Sequence, residues 1–208
     1  MSGAAGFLPA YMVETLLMLN ERDPAFGVQV VGLVRSAERA ATRFAAYSGR
    51  NDLKLIEGDV SDPLVLDGRV DVVIHAASQA SPRVYLTDPV GTLAANVIGT
   101  RNLLERARRD ASEALLFFSS AEVYGEVTPN RVPTDEDAYG YLDPTCVRSC
   151  YAESKRLGET MCSAYHHQYG VPTMVVRPFH TMGRGSASTT VASLRISWPT
   201  SSPGARSR

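Results

Sequence analysis

The chain reads as an α/β protein built on a doubly wound parallel sheet, and three observations carry that reading. Five short runs rich in Val, Ile, Leu and Phe alternate with four longer segments of helical periodicity. The runs are apolar throughout, as strands buried on both faces are. The length of 208 residues, with 44% hydrophobic and 21% charged, is enough to close a core of this kind.

The elements follow in order. Gly3-Ala4-Ala5-Gly6-Phe7-Leu8-Pro9 is a glycine-rich turn feeding a helix over 10–20. Such a turn normally leaves a strand, yet only Met1 and Ser2 precede it, so the first strand is expected to be missing and an earlier start codon to supply it. Strands are expected at 28–34, 53–56, 70–77, 114–120 and 173–178, with helices at 37–47, 89–109 and roughly 148–169. In the 89–109 segment Leu93, Val97, Leu103, Leu104 and Ala107 fall near one helical face. The first expected domain is therefore 1–182. Beyond it, residues 183–208 hold seven Ser, three Thr and four Arg with no Asp, Glu or Lys, a composition that reads as an unstructured tail.

Composition excludes several classes. The 21 basic and 22 acidic residues give a net charge of −1, which leaves no electrostatic footprint for nucleic acid or an anionic membrane. No apolar run approaches the roughly 20 residues that span a bilayer, and the start lacks a basic n-region. Cys146, Cys150 and Cys162 form no CxxC pair, so reduced thiols and a cytoplasmic location are expected. His166-His167 lacks a matching ligand constellation, and no metal is expected.

Two patterns carry chemistry. Glycines at 3 and 6 let a backbone approach a pyrophosphate, and a following helix offers its amide donors and dipole. Pro9 stands where a third glycine is usual. Tyr151 and Lys155, four apart on a helix, share a face, and a nearby ammonium would lower the phenol towards a general base. Taken singly, an ordinary Gly-rich turn and a surface tyrosine beside a solvated lysine explain them as well.

Their order along the chain adds more. The glycine turn is followed by Gly58-Asp59-Val60, His75-Ala76-Ala77-Ser78, Asn96, Ser119-Ser120-Ala121-Glu122-Val123-Tyr124-Gly125, then Tyr151 and Lys155, then Arg177-Pro178-Phe179. This series, over residues 2 to about 183, resembles the extended short-chain dehydrogenase/reductases, the nucleotide-sugar epimerases, dehydratases and decarboxylases. Ala77 to Pro82, Tyr85, Asp88-Pro89 and Arg148 to Tyr151 are most similar to the branch that decarboxylates UDP-glucuronate. Ala121 stands where 4,6-dehydratases carry an Asp.

The resemblance implies a Rossmann-type fold, a nucleotide-sugar substrate and a 4-keto intermediate. It implies catalytic roles for Ser120, Glu122, Tyr151 and Lys155. It places Gly3, Gly6, Phe7, Leu8, Arg35, Asp59, Val60, Ala76, Ala77, Ser78, Asn96, Tyr151, Lys155 and Pro178 at the cofactor. NAD is the cofactor it implies, with NADP as the alternative because Val34-Arg35 replaces the acidic residue expected after the second strand. For Asp59 an adenine contact and a simple turn cap stay open, and His75 reads as structural or close to the cofactor. A homodimer through the helices near 89–109 and 148–169 is implied for the full-length protein. The alternatives are a 4-epimerase, a 4,6-dehydratase, a non-catalytic dinucleotide-binding module and an inactive truncated product.

A last expectation concerns the tail. Only Lys54 and Lys155 of the 21 basic residues are lysine, which points to a GC-rich gene. GC-rich codons for 183–200, shifted by one nucleotide, encode a peptide similar to the family's continuation. The tail is therefore expected to be frameshifted, and the C-terminal substrate lobe to be absent.

Overall fold

A computed structural model of the chain describes residues 1–181, 183 and 196–197. Helix α1 (Phe7–Arg22) leads to β1 (Val30–Val34), α2 (Ala37–Arg43) and β2 (Leu53–Glu57). Next come β3 (Val72–His75), the short helices α3 (Pro82–Thr87) and α4 (Pro89–Leu93), and α5 (Gly99–Asp110). The chain continues through β4 (Ala114–Phe118), α6 (Ser149–Tyr169), β5 (Thr173–Val176) and β6 (Ile196–Ser197).

The strands form two ladders. β1 pairs in parallel with β2, while β3, β4 and β5 pair in parallel in that order and β6 joins β5 antiparallel. Ser2 stands between them, bridged in parallel to Leu33 on one side and to His75 on the other. Its amide donates to the Ile74 carbonyl at 2.9 Å, and the Gly3 amide donates to Leu33 at 2.9 Å. Met1 to Gly3 thus occupy the central place of a doubly wound sheet, the position assigned above to the missing first strand.

Each ladder has its own core. Ala10, Val13 and Leu17 of α1 pack with Val30, Val34, Ala40 and Phe44 against the β1–β2 side. Val73, Leu103, Leu104, Leu115, Phe117 and Cys162 fill the β3–β5 side. A small apolar hollow lined by Leu33, Leu64, Val70, Val73 and Leu103 opens between them at the amino-terminal edge of the sheet.

Several expectations shift. The helix expected over 10–20 begins at Phe7, with Pro9 buried in its first turn. The segment expected as one helix over 89–109 is continuous over 89–110, with a π-helical turn at Ala94–Ile98 between α4 and α5. Asp88 caps α4, its side chain accepting from the Gly91 amide, and α3 was not foreseen because its six residues are too few to show a period. Within the tail expected to be unstructured, Ile196–Ser197 pair with Val176–Val175, because β5 offers an open edge. The proposed frameshift at 183–208 otherwise lies outside the described residues. No helix among the described residues is long and apolar enough to cross a membrane.

Candidate functional site

The carboxyl ends of β1, β3 and β4 and the first half of α6 meet at the opposite, carboxyl-terminal edge of the sheet, the place of the ligand crevice in a doubly wound fold. Gly3 turns the chain there with φ of +66°, and a Cβ on it would stand 2.8 Å from the Ala77 backbone. Only glycine fits such a contact in such a conformation. Gly6 then caps α1 without a side-chain partner, so the first-turn amides at Phe7 and Leu8 carry no side-chain cap. A cradle that a Cβ would fill, followed by uncapped helix amides, fits a dinucleotide pyrophosphate.

The His75-Ala76-Ala77 segment is tied to this turn. The Ala77 amide donates to Ser2 Oγ at 3.2 Å, and the Ala76 amide to the Ser2 carbonyl at 3.3 Å. His75 is a strut: Nδ1 lies 2.8 Å from Ser2 Oγ and Nε2 3.1 Å from Thr100 Oγ1. Burial, aided by the charge of Lys155, drives its pKa down to about 3, so the ring is neutral. Among the described residues no group of three or more His, Cys, Asp or Glu could hold a metal.

Tyr151 and Lys155 share the buried face of α6, as their spacing requires. The Tyr151 phenol faces the hydroxyls of Ser120 and Ser78, both of which pull its pKa down, although Ser78 Oγ closes no hydrogen bond. Ser120 lies two residues beyond β4, and its Oγ accepts from the Glu122 amide at 3.2 Å, opening the 3-10 turn Ala121–Tyr124. Lys155 is 1% exposed; its Nζ donates to the Phe118 carbonyl at 2.6 Å. α6 approaches β4 closely because residue 158 is glycine: a Cβ there would stand 2.4 Å from the Phe117 ring.

One electrostatic expectation is corrected. The lysine was expected to lower the phenol, yet burial dominates both groups. It pushes Tyr151 up to about 12 and draws Lys155 down to about 7. The ammonium stands 6.0 Å from the Tyr151 ring centroid and is turned towards the Phe118 carbonyl.

The remaining residues divide. Glu122 meets Arg148 at 3.2 Å on the exposed rim and accepts a long bond from the Tyr85 hydroxyl at 3.4 Å. Asp59 accepts from the Ser61 amide and hydroxyl at 2.8 and 2.6 Å and so caps its turn. Val60 points into the core, and only its carbonyl is engaged, by Asn102 at 3.0 Å. Asn96 is fully buried and donates to Ser154 Oγ at 2.9 Å, so it props α6 rather than lining the cleft; its Oδ1 has no partner. The Pro178 carbonyl accepts from the Ala121 amide at 3.1 Å. Val34 ends β1 as a buried side chain, and Arg35 follows it exposed. The pyrophosphate end of the cofactor is therefore matched, while the carboxylate that would take the ribose hydroxyls of NAD does not stand after β1.

Sequence reasoning gave no role to Tyr85, which is fully buried and stacked on Tyr151 with ring centroids 5.2 Å apart. It also missed the bracket behind the site, where Glu159 accepts from Ser119 Oγ at 2.5 Å and from Arg177 at 2.6 and 2.8 Å. Glu159 is four residues beyond Lys155, so extending the i, i+4 count by one step was the available signal.

Comparison with known proteins agrees with this geometry. The sequence pattern described as the NAD dependent epimerase/dehydratase family matches residues 1–198. The chain is 38% identical over 182 residues to UDP-glucuronic acid decarboxylase 1 of Danio rerio, covering 88% of this chain and 41% of that protein. It is also 38% identical over 182 residues to UDP-glucuronic acid decarboxylase 3 of Arabidopsis thaliana, covering 88% and 50%. The chain thus spans half or less of the length of these relatives. A UDP-glucuronic acid 4-epimerase from Bacillus cereus, solved in complex with NAD, shares the fold with a TM-score of 0.63 at 23% identity, over 86% of this chain and 54% of that one.

Proposed function

Because this chain belongs to the NAD-dependent epimerase/dehydratase family, we propose that it holds the cofactor-binding and catalytic part of an enzyme that modifies a nucleotide-linked sugar through a 4-keto intermediate. UDP-glucuronate decarboxylation is the reading that the curated relatives favour. The observation that carries it is the convergence of Tyr151, Lys155 and Ser120 beside the Gly3 cradle at one cleft edge.

The bound nicotinamide would accept hydride from the sugar C4 and return it, so no external oxidant is consumed. The chain's own residues do the rest. Tyr151 takes the 4-hydroxyl proton only as its phenolate, a form that burial opposes and that the hydroxyls of Ser120 and Ser78, with a cationic nicotinamide ring beside them, would favour. Ser120 also holds the oxygen that becomes the ketone. Lys155 stands at the back of the pocket with Nζ on the Phe118 carbonyl, and burial draws its ammonium down to a pKa of about 7. A 4-keto uronate is a β-keto acid and loses CO2 readily. Glu122 and Arg148, ion-paired at the rim, orient the sugar end of the cleft.

A homodimer is part of the same reading. Val90, Leu93, Ile98 and Leu157 expose apolar surface on the helices expected to pair.

The test is to incubate the protein with UDP-glucuronate and nicotinamide dinucleotide and follow the sugar by NMR. A UDP-pentose with released CO2 is expected. A C4-inverted uronate would replace decarboxylation by epimerisation, and no conversion of any nucleotide sugar would overturn the enzymatic reading.

A further inference from the structure

The ribose end of the cleft has a chemistry of its own. Val34 closes β1 with a buried aliphatic side chain, and its register partner on β2 is Glu57. Two residues before Arg35, the Leu33 carbonyl accepts both the Gly3 and Ala4 amides, so the chain leaves β1 directly beside the glycine cradle. Arg35 then projects into solvent, and its guanidinium forms no hydrogen bond or ion pair with a described residue. Its charge is nevertheless felt across the cleft edge, where it helps hold the carboxyls of both Asp59 and Asp88 low. Ser36 follows with a hydroxyl that accepts from the Arg39 amide at 3.2 Å and keeps its own proton free to donate. Arg39 is likewise exposed and unpaired among the described residues.

A dinucleotide with a free ribose 2′-hydroxyl is usually held by a carboxylate after this strand; one carrying a 2′-phosphate is held by an arginine there. Here the carboxylate is replaced by an aliphatic side chain and followed by an unpaired guanidinium, a hydroxyl and a second guanidinium. We propose that this end of the cleft selects the 2′-phosphorylated dinucleotide, NADP over NAD, with Arg35 and Ser36 on the phosphate and Arg39 flanking it. The inference rests on the cofactor-binding function proposed above. One carboxylate stands nearby: Glu57 Oε1 accepts from the Ala37 amide at 3.2 Å. Its exposed side chain gives way to a phosphate dianion, which takes the same donors more strongly.

Calorimetric titration of the full chain with NADP and NAD, and with 2′,5′-ADP and 5′-AMP as probes of the adenosine end alone, tests this directly. Charge-assisted bonds of this kind give NADP and 2′,5′-ADP a roughly 10- to 100-fold tighter binding than NAD and 5′-AMP. Arg35→Gln reduces that ratio about tenfold or more and leaves NAD binding unchanged, while Glu57→Gln raises NADP affinity. Equal or tighter binding of NAD, with NAD binding lost in Glu57→Gln, overturns the inference by making Glu57 the ribose acceptor. That result leaves the proposed function standing; failure of all four ligands to bind removes both.

Discussion

The ring of Tyr85 lies nearly flat against that of Tyr151, with centroids 5.2 Å apart and planes 14° from parallel. Tyr85 comes from α3 and Tyr151 from α6, so this stack holds the phenol ring between two helices. Tyr85→Phe keeps the stack and changes turnover little. Tyr85→Leu leaves the Tyr151 ring free to tilt and lowers kcat about tenfold, since misplacing a reacting group by an ångström costs up to a hundredfold. Steady-state kinetics of the two variants separate the stack from the hydroxyl.

Tyr151→Phe removes the proton acceptor while sparing the ring packing. Turnover falls by roughly 10²- to 10⁴-fold, the usual contribution of a general base. Dinucleotide binding stays nearly intact, which calorimetry checks alongside product formation. Half-maximal activity in this variant would remove Tyr151 from the mechanism.

Lys155 makes stability depend on pH. Its folded pKa of about 7 lies below the ordinary 10.5 of a lysine, because burial penalises the ammonium. Between these values the unfolded chain binds a proton that the folded chain does not, so stability rises with pH from about 7 upward. The slope contributed by one such group approaches about 1.4 kcal/mol per pH unit. The Met1 amine, lowered to about 6, acts in the same direction up to pH 8, while the Cys162 thiol, pushed up to about 12, opposes it above pH 9. Urea midpoints measured from pH 7 to 8.5 therefore rise in the native protein and rise less steeply in Lys155→Met. Parallel slopes would place the lysine in a solvated setting.

Gly158→Ala tests how α6 seats on the sheet. Alanine favours a helix by about 1 kcal/mol over glycine. Against that, its methyl would stand 2.4 Å from the Phe117 ring, which is fully buried and has no room to move. Overpacking of this kind costs typically about 1–3 kcal/mol. Chemical denaturation should show a net loss, accompanied by displacement of Lys155 one turn away.

Assembly is checked by sedimentation. Ile98 and Leu157 are 49% and 44% exposed, too much apolar surface to leave in water on two adjoining helices. A dimer at micromolar concentration is expected, and Ile98→Asp with Leu157→Asp should yield monomer. Monomer in the unaltered protein would refute the pairing.

What the sequence made legible is local. The β-branched runs, the glycine turn and the i, i+4 placement of Tyr151 and Lys155 follow from backbone period and steric rules over a few residues. The π turn around Asn96 does not, because such a turn is stabilised by what it meets, here Ser154 on another helix. Nor does the Tyr85 stack, whose partners are 66 positions apart in sequence. The phenol's acidity was misjudged for the same reason. A lysine one turn away is visible in sequence, but the removal of solvent from both groups depends on the elements packed over them. Asp59 and Val60 show the limit again: the motif places them at the cleft, and their side chains serve the turn and the core.

Met1 to Gly3 have a mechanical consequence. They carry backbone hydrogen bonds to both the β1–β2 ladder and the β3–β5 ladder, and Leu33 of β1 and Val60 beyond β2 also pack into the core of the β3–β5 side. The glycine cradle and Arg35 stand on one side of that seam, and Tyr151 with Lys155 on the other. Opening along this seam breaks the bonds of Met1 to Gly3 together with the Leu33 packing, so hydrogen exchange at the Ser2, Gly3 and Leu33 amides reads it. A dinucleotide lying across the seam would hold both sides at once and slow that exchange.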